Sequence, residues 1–259
     1  MTSEIPDIAA DADSTWGVYA ANAPAHHLEA HQDAAGWTLS GTKPWCSLAA
    51  SLSHAIITAE VPGAGSRAFA VRLDPIKVEA LPGQWVSRGL QEVVSTGLRI
   101  DRLPAVPIGD TNWYLTRPGF SWGAIGVAAV WYGIARGLLD RVKQATDRRP
   151  ADQIAFAQIG AADHDLFAAQ VCLQHAATEI DAGRACGQAG ELLGLRVRAV
   201  VSKAADNMLA IAGRALGPGP MTSDEPYARR VADLGVYLRQ HHGERDIARL
   251  GECSREVER

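Results

Sequence analysis

The chain has 259 residues, 47% of them hydrophobic and 21% charged, with a net charge of −4, the make-up of a globular protein with enough core for one large domain or two modest ones. Only two lysines follow position 100, so the clustered cations that nucleic acid or an acidic polymer would need are missing. Four cysteines without CxxC or zinc-finger spacing argue for reduced thiols over a disulfide framework.

The amino end, MTSEIPDIAADADS, is acidic and has no apolar signal core, and no run of about 18 uninterrupted apolar residues follows it. A soluble, cytoplasmic chain without a membrane partner is expected, with residues 1–15 as a flexible terminus. From Trp16 to about Asn112 come short apolar runs punctuated by Gly and Pro: WGVYAA, GWTLSG, HAIITAEV, AFAVRL, KVEAL and VSTGLRI. Their length and β-branched or aromatic content predict an antiparallel β-sandwich or small barrel over 16–115, with no crossover helices. GAGSR at 63–67 lacks a phosphate-loop lysine and reads as a hairpin turn. His26, His27 and His31 fall in a Pro/Ala-rich stretch taken as a loop; three histidines can converge on a metal, but a surface cluster is the reading adopted, and no metal site is assigned.

After RPGF the pattern changes to apolar residues every three or four positions. Helices are predicted over 121–147, 151–183, 191–216 and 226–250, broken at DRRP, GRACGQAG and GPGP. This gives an up-and-down four-helix bundle over 120–252, with 253–259 as a tail. The first helix is apolar nearly all round and carries Gly123, Gly126, Ala129 and Gly133, small residues that suit close packing inside a bundle or at a subunit interface.

The segment GWTLSGTKPWCSLAASLSHAIITAEV resembles the middle domain of the acyl-CoA dehydrogenase family, with its G-x-x-x-x-G-x-K-x-W-x-[ST] turn. WYLTRPGFSWGAIGVAAVWYGIARGL and ALGPGPMTSDEPYARRVADLGVYLRQHHGERDIARLG are similar, in the same order, to that family's entry into the bundle and its final loop and helix. The likeness covers roughly 16–252. It implies an α+β chain, a β-domain followed by a helical bundle, acting as an FAD-dependent oxidoreductase on an acyl-CoA or related small acyl substrate. It also implies a homo-oligomer, or a hetero-oligomer with a related chain. Family members carry a helical domain ahead of this β-domain; its absence here implies a short form, a truncated product or a subunit completed by another chain.

The same likeness assigns flavin contact to Trp45, Cys46 and Ser47, and proximity to the cofactor to Gly217 and Gly219. An indole can pack on an apolar ring edge and a hydroxyl can donate to a ring nitrogen. On residues alone, Trp45 serves equally as a core anchor, Ser47 and the two glycines as turn residues, and Cys46 as a buried small residue. The family's pyrophosphate contacts are not legible; Arg148, Arg149 and Gln170 are the remnants.

Aligning Asp233 with the family aspartate places His241 where the catalytic Glu falls, with His242 next; Glu244 lies three residues on. The other family position, early in the first bundle helix, is closed, because no Asp or Glu occurs between Asp110 and Asp140. An imidazole can act as acid or base near neutrality, so His241 and His242 are the catalytic candidates. A solvated terminal helix accounts for the same RQHHGERD run. A non-catalytic subunit pairing with a fuller homologue is the alternative function.

Overall fold

The computed structural model describes residue 8 and residues 10–81, 85–147 and 151–257. The chain divides into two compact units, one of residues 1–86 and 91–117, the other of residues 87–90 and 118–259.

The first unit holds seven strands: β1 (Trp16–Tyr19), β2 (Leu28–Asp33), β3 (Gly36–Lys43), β4 (His54–Val61), β5 (Gly65–Arg72), β6 (Val78–Ala80) and β7 (Leu98–Ile108), followed by the short helix α1 (Trp113–Thr116). Pairing runs β4–β2–β3–β7–β5 and returns to β4, closing a small barrel, with β6 added on β7. The β-barrel expected from the sequence is therefore present. Two of its pairings are parallel: β1 and β2 share one edge of β4, at Trp16–His54 through Tyr19–Ile57 and at Glu29–Glu60. Alternation sets the interior, which Tyr19, Leu39, Ile57, Phe69, Leu98 and Leu103 fill with almost no exposure; each such side chain contributes about 1.5–3 kcal/mol on burial.

Two strands depart from the sequence reading. The histidine stretch taken as a loop includes β2, whose residues pair antiparallel with β3 from Leu28–Gly41 to Asp33–Gly36; inward Leu28 and Ala30 supply a pattern too short to stand out beside His, Glu and Gln. β7 runs on to Ile108 through Pro104 and Pro107. Its register against β3 shifts between Leu39 and Gly41, and Arg102 there has φ 43°, the backbone of a bulge.

The second unit comprises α2 (Pro118–Asp147), α3 (Gln153–Asp181), α4 (Gly187–Leu216), the short α5 (Gly219–Ser223), α6 (Glu225–Tyr237) and α7 (Glu244–Val257). Its core gathers Trp131, Leu138 and Leu139 of α2, Leu166 of α3, Val201 and Met208 of α4, and Tyr227 and Leu234 of α6. By length and composition α2 passes for a membrane span, a test that the core helix of a water-soluble bundle also meets; here seven of its residues are buried. Asp152 and Asp224 accept backbone N–H groups of Ala155 and Tyr227 and so cap α3 and α6.

The fourth helix expected over 226–250 is two helices. After α6 the chain tightens into a 3-10 turn at Leu238–Gln240, His241 is extended (φ −81°, ψ 121°), and Gly243 is left-handed (φ 60°), a conformation glycine adopts without steric cost. The glycine stripe of α2 also differs from close packing within the bundle: a Cβ at Gly123, Gly126 or Gly133 would meet nothing within 4 Å among the described residues. That face looks away from this chain's own helices. The tight approach occurs instead at Gly137, where the Arg230 guanidinium lies across the helix.

Candidate functional sites

In the barrel unit, β3 ends at Lys43 and the chain turns through Pro44 into Trp45. Trp45 has φ 56°, the left-handed region that costs a bulky residue of order 1–3 kcal/mol. Its side chain is not the core anchor that the sequence allowed, because it is 58% exposed. The surroundings over-determine this conformation. Cys46 donates its N–H to Thr96 O at 2.9 Å and Leu48 to Val94 O at 2.8 Å, while the Tyr19 hydroxyl donates to Ser47 O at 3.0 Å.

Ser47 Oγ lies 2.7 Å from Ser95 Oγ. Ser95 gives its single proton to Val93 O at 2.9 Å, so Ser47 is the donor in this pair. Donation from Ser47 to a ring nitrogen therefore requires its hydroxyl to rotate away from Ser95. Cys46 is the inward residue of the turn: it is 1% exposed, its thiol faces the carbonyls of Lys43 and Pro44, and burial pushes its pKa up to about 12. Its side chain offers no surface to a ligand. Among the described residues, then, the turn presents on a fixed backbone an outward indole flanked by a hydroxyl, and such a surface fits one edge of a flat aromatic ring.

In the helical unit, His241 and His242 do different things. The His241 ring is 11% exposed and stands edge-on to Trp131, with centroids 6.4 Å apart. Its Nδ1 accepts the Gly243 N–H at 3.2 Å, so Nε2 carries the proton in the neutral ring. Nε2 is buried without a hydrogen-bond partner among the described residues; Asp246 Oδ2 is 3.9 Å away. Burial pushes the His241 pKa down, Asp246 opposes, and Arg198 and His242 add to the depression. As arranged, the imidazole is neutral, and taking a proton at Nδ1 requires release of the Gly243 N–H.

His242 is exposed and pairs through Nδ1 with Asp246 Oδ1 at 3.1 Å, while its backbone N–H reaches Asp246 Oδ2 at 3.2 Å. Asp246 thus ties back the chain entering α7, where a carboxylate also complements the helix dipole. Arg198, which sequence patterns gave no reason to single out, organises the junction. Its guanidinium sits 4.7 Å over the Trp131 ring and donates to Gln240 O at 2.7 Å and Ala124 O at 3.3 Å. Glu244 is an exposed residue in the first turn of α7.

Gly217 closes α4 with φ 65°, which gives it a turn's reason to be glycine. Gly219 opens α5 and, with Arg141, Thr146 and Pro220, lines a cavity of about 430 Å3 in the helical unit. Arg148 and Arg149 lie outside the described residues, and Gln170 accepts the Tyr132 hydroxyl at 3.1 Å. Of the histidine cluster, His27 and His31 both bond to Glu29, at 2.9 and 3.1 Å.

Comparison with solved structures supplies the frame for these sites. The chain matches glutaryl-coenzyme A dehydrogenase in its glutaryl-CoA complex with a TM-score of 0.72 and 20% identity, over 86% of this chain and 60% of that one. This chain has the acyl-CoA dehydrogenase fold. It is equally similar to KijD3 in complex with FMN and a dTDP-linked amino-keto sugar (TM-score 0.75, 22% identity, 87% of this chain and 60% of that one). The nitrososynthase from Micromonospora carbonacea var. africana is a third likeness (0.71, 22%, 84% and 61%). The chain thus spans about three fifths of the length of these structures. No protein-family model and no curated protein matches it.

Proposed function

We propose that this protein is a flavin-dependent oxidoreductase, with FAD as the flavin and an acyl thioester or related small molecule as substrate, working as a homo-oligomer or with a related chain. The observation that carries this reading is Trp45: a bulky residue held in a left-handed backbone with its indole 58% exposed. Strain of this kind persists where a site needs it, and an exposed ring that makes no ring contact among the described residues suits an aromatic ligand. A bound flavin would supply hydride acceptance, and Trp45 would pack against one edge of it. FMN, present in the KijD3 complex, is the alternative flavin. The outward glycine stripe of α2 supports assembly, since among the described residues nothing packs on it.

A second reading, a non-catalytic subunit, is favoured by His241. The imidazole at the position expected of a base is pinned against Trp131 with Nδ1 committed to the backbone, and no Asp or Glu lies between Asp110 and Asp140. Purified protein separates the two readings. A visible flavin band, as isolated or after addition of FAD or FMN, together with reduction of that band by an acyl-CoA, supports the oxidoreductase. A colourless protein that takes up neither flavin leaves the subunit reading.

A further inference from the structure

Lys43, two residues before Trp45, is 2% exposed. An isolated ammonium is expensive to bury unless its protons find acceptors, and no carboxylate pairs with this one among the described residues. Its three N–H bonds match three acceptors: Thr58 O at 2.7 Å, Thr58 Oγ1 at 2.9 Å and Asn22 Oδ1 at 3.0 Å. Thr58 in turn gives its own proton to Ala20 O at 3.4 Å, which leaves its oxygen free to accept from the amine.

Asn22 and Ala20 belong to the segment directly after β1, and Tyr19, the last residue of β1, holds Ser47 O. The residue two before Trp45 and the residue two after it are therefore moored to the same place, the end of β1 beside β4. Without the amine, Thr58 O, Thr58 Oγ1 and Asn22 Oδ1 would each lose a donor, so the cation's directed bonds tie β4 and the segment after β1 to the start of the turn.

We propose that Lys43 is the positioning residue of the Trp45 turn: its three hydrogen bonds to Thr58 and Asn22 fix the backbone that turns the indole outward. What the turn receives rests on the flavin reading; the mooring itself does not. Burial lowers the Lys43 pKa to about 8, with the Cys46 thiol opposing, so the ammonium persists at neutral pH. His26, His27 and Glu60 are the other titratable groups around the cavity of about 590 Å3 that Lys43 lines.

Hydrogen exchange of the amides at 45–49 tests the proposal without any ligand. Lys43→Met strips three acceptors of their donor and should lower the melting temperature, while this segment exchanges at least about tenfold faster, out of proportion to the rest of the barrel. Thr58→Val, which keeps the shape but removes one acceptor, should move exchange in the same direction, and Thr58→Ser should restore the wild-type rate. Should Lys43→Met fail to fold, the Thr58 pair decides. Wild-type exchange in Thr58→Val, or equal acceleration in Thr58→Val and Thr58→Ser, overturns the proposal. Failure of wild-type protein to bind flavin would remove the ligand and leave this result standing.

Discussion

The carboxylate of Asp233 accepts the backbone N–H of Leu90 at 2.6 Å, and one residue earlier Gly89 lies directly against the backbone of Ala232. A four-residue segment remote in sequence thus meets α6 through a charged hydrogen bond and a close backbone approach. Gly89→Ala forces a methyl group into the Ala232 carbonyl and should destabilise the helical unit by about 1–3 kcal/mol, the usual cost of overpacking. Asp233→Ala should cost about 1–3 kcal/mol through loss of a charge-assisted bond. Because the two changes loosen one contact, the double variant should lose less than the sum. Urea denaturation of the three variants checks this.

Asp224 joins a cap to an ion pair: Oδ1 accepts the Tyr227 N–H at 3.2 Å to cap α6, and Oδ2 lies 2.8 Å from Arg141 Nε of α2. Asp224→Ala removes both and should cost about 2 kcal/mol, whereas Asp224→Ser keeps the cap and should recover about half. Thermal melts of the two variants distinguish cap from bridge.

His241 makes stability acid-sensitive. Its folded pKa lies below the ordinary 6.5, first because burial penalises the charged ring. The unfolded chain therefore binds more protons as pH falls below 6.5, and the stability present above that value is lost as pH drops toward the folded pKa. His241→Phe keeps the ring against Trp131 but cannot titrate. Its unfolding free energy should sit about 1 kcal/mol below wild type at pH 8, for the lost Gly243 bond, and the gap should close as the solution is acidified from pH 6.5. A gap that stays constant or widens on acidification contradicts this account of the ring.

Much of the fold was legible because strand and helix periods show directly in apolar runs: β4 coincides with HAIITAEV, and α2 to α4 end at the Gly and Pro breaks that mark them. What stayed hidden has local causes. β2 carries His, Glu and Gln outward and only Leu28 and Ala30 inward, too few for a pattern. The break between α6 and α7 is a 3-10 turn, an extended His241 and a left-handed Gly243, in a run whose residue types mostly suit a helix. At the sites, the tryptophan motif located the turn and the residues allowed a buried Cys46, which is what the structure has, but sequence could not say that Trp45 faces out or that Lys43 is buried. Nor could it place Arg198 over Trp131, since that contact joins α4 to α2 without any motif.

The central claim is that the exposed indole of Trp45 receives a flavin. Its most direct measurement is a binding titration of FAD and FMN against wild type and Trp45→Ala, with folding verified by circular dichroism. Removing an exposed side chain should leave the melting temperature nearly unchanged while weakening flavin binding at least about tenfold, or about 1.4 kcal/mol. Equal affinity in the two proteins, or no binding of either flavin by wild type, contradicts the account.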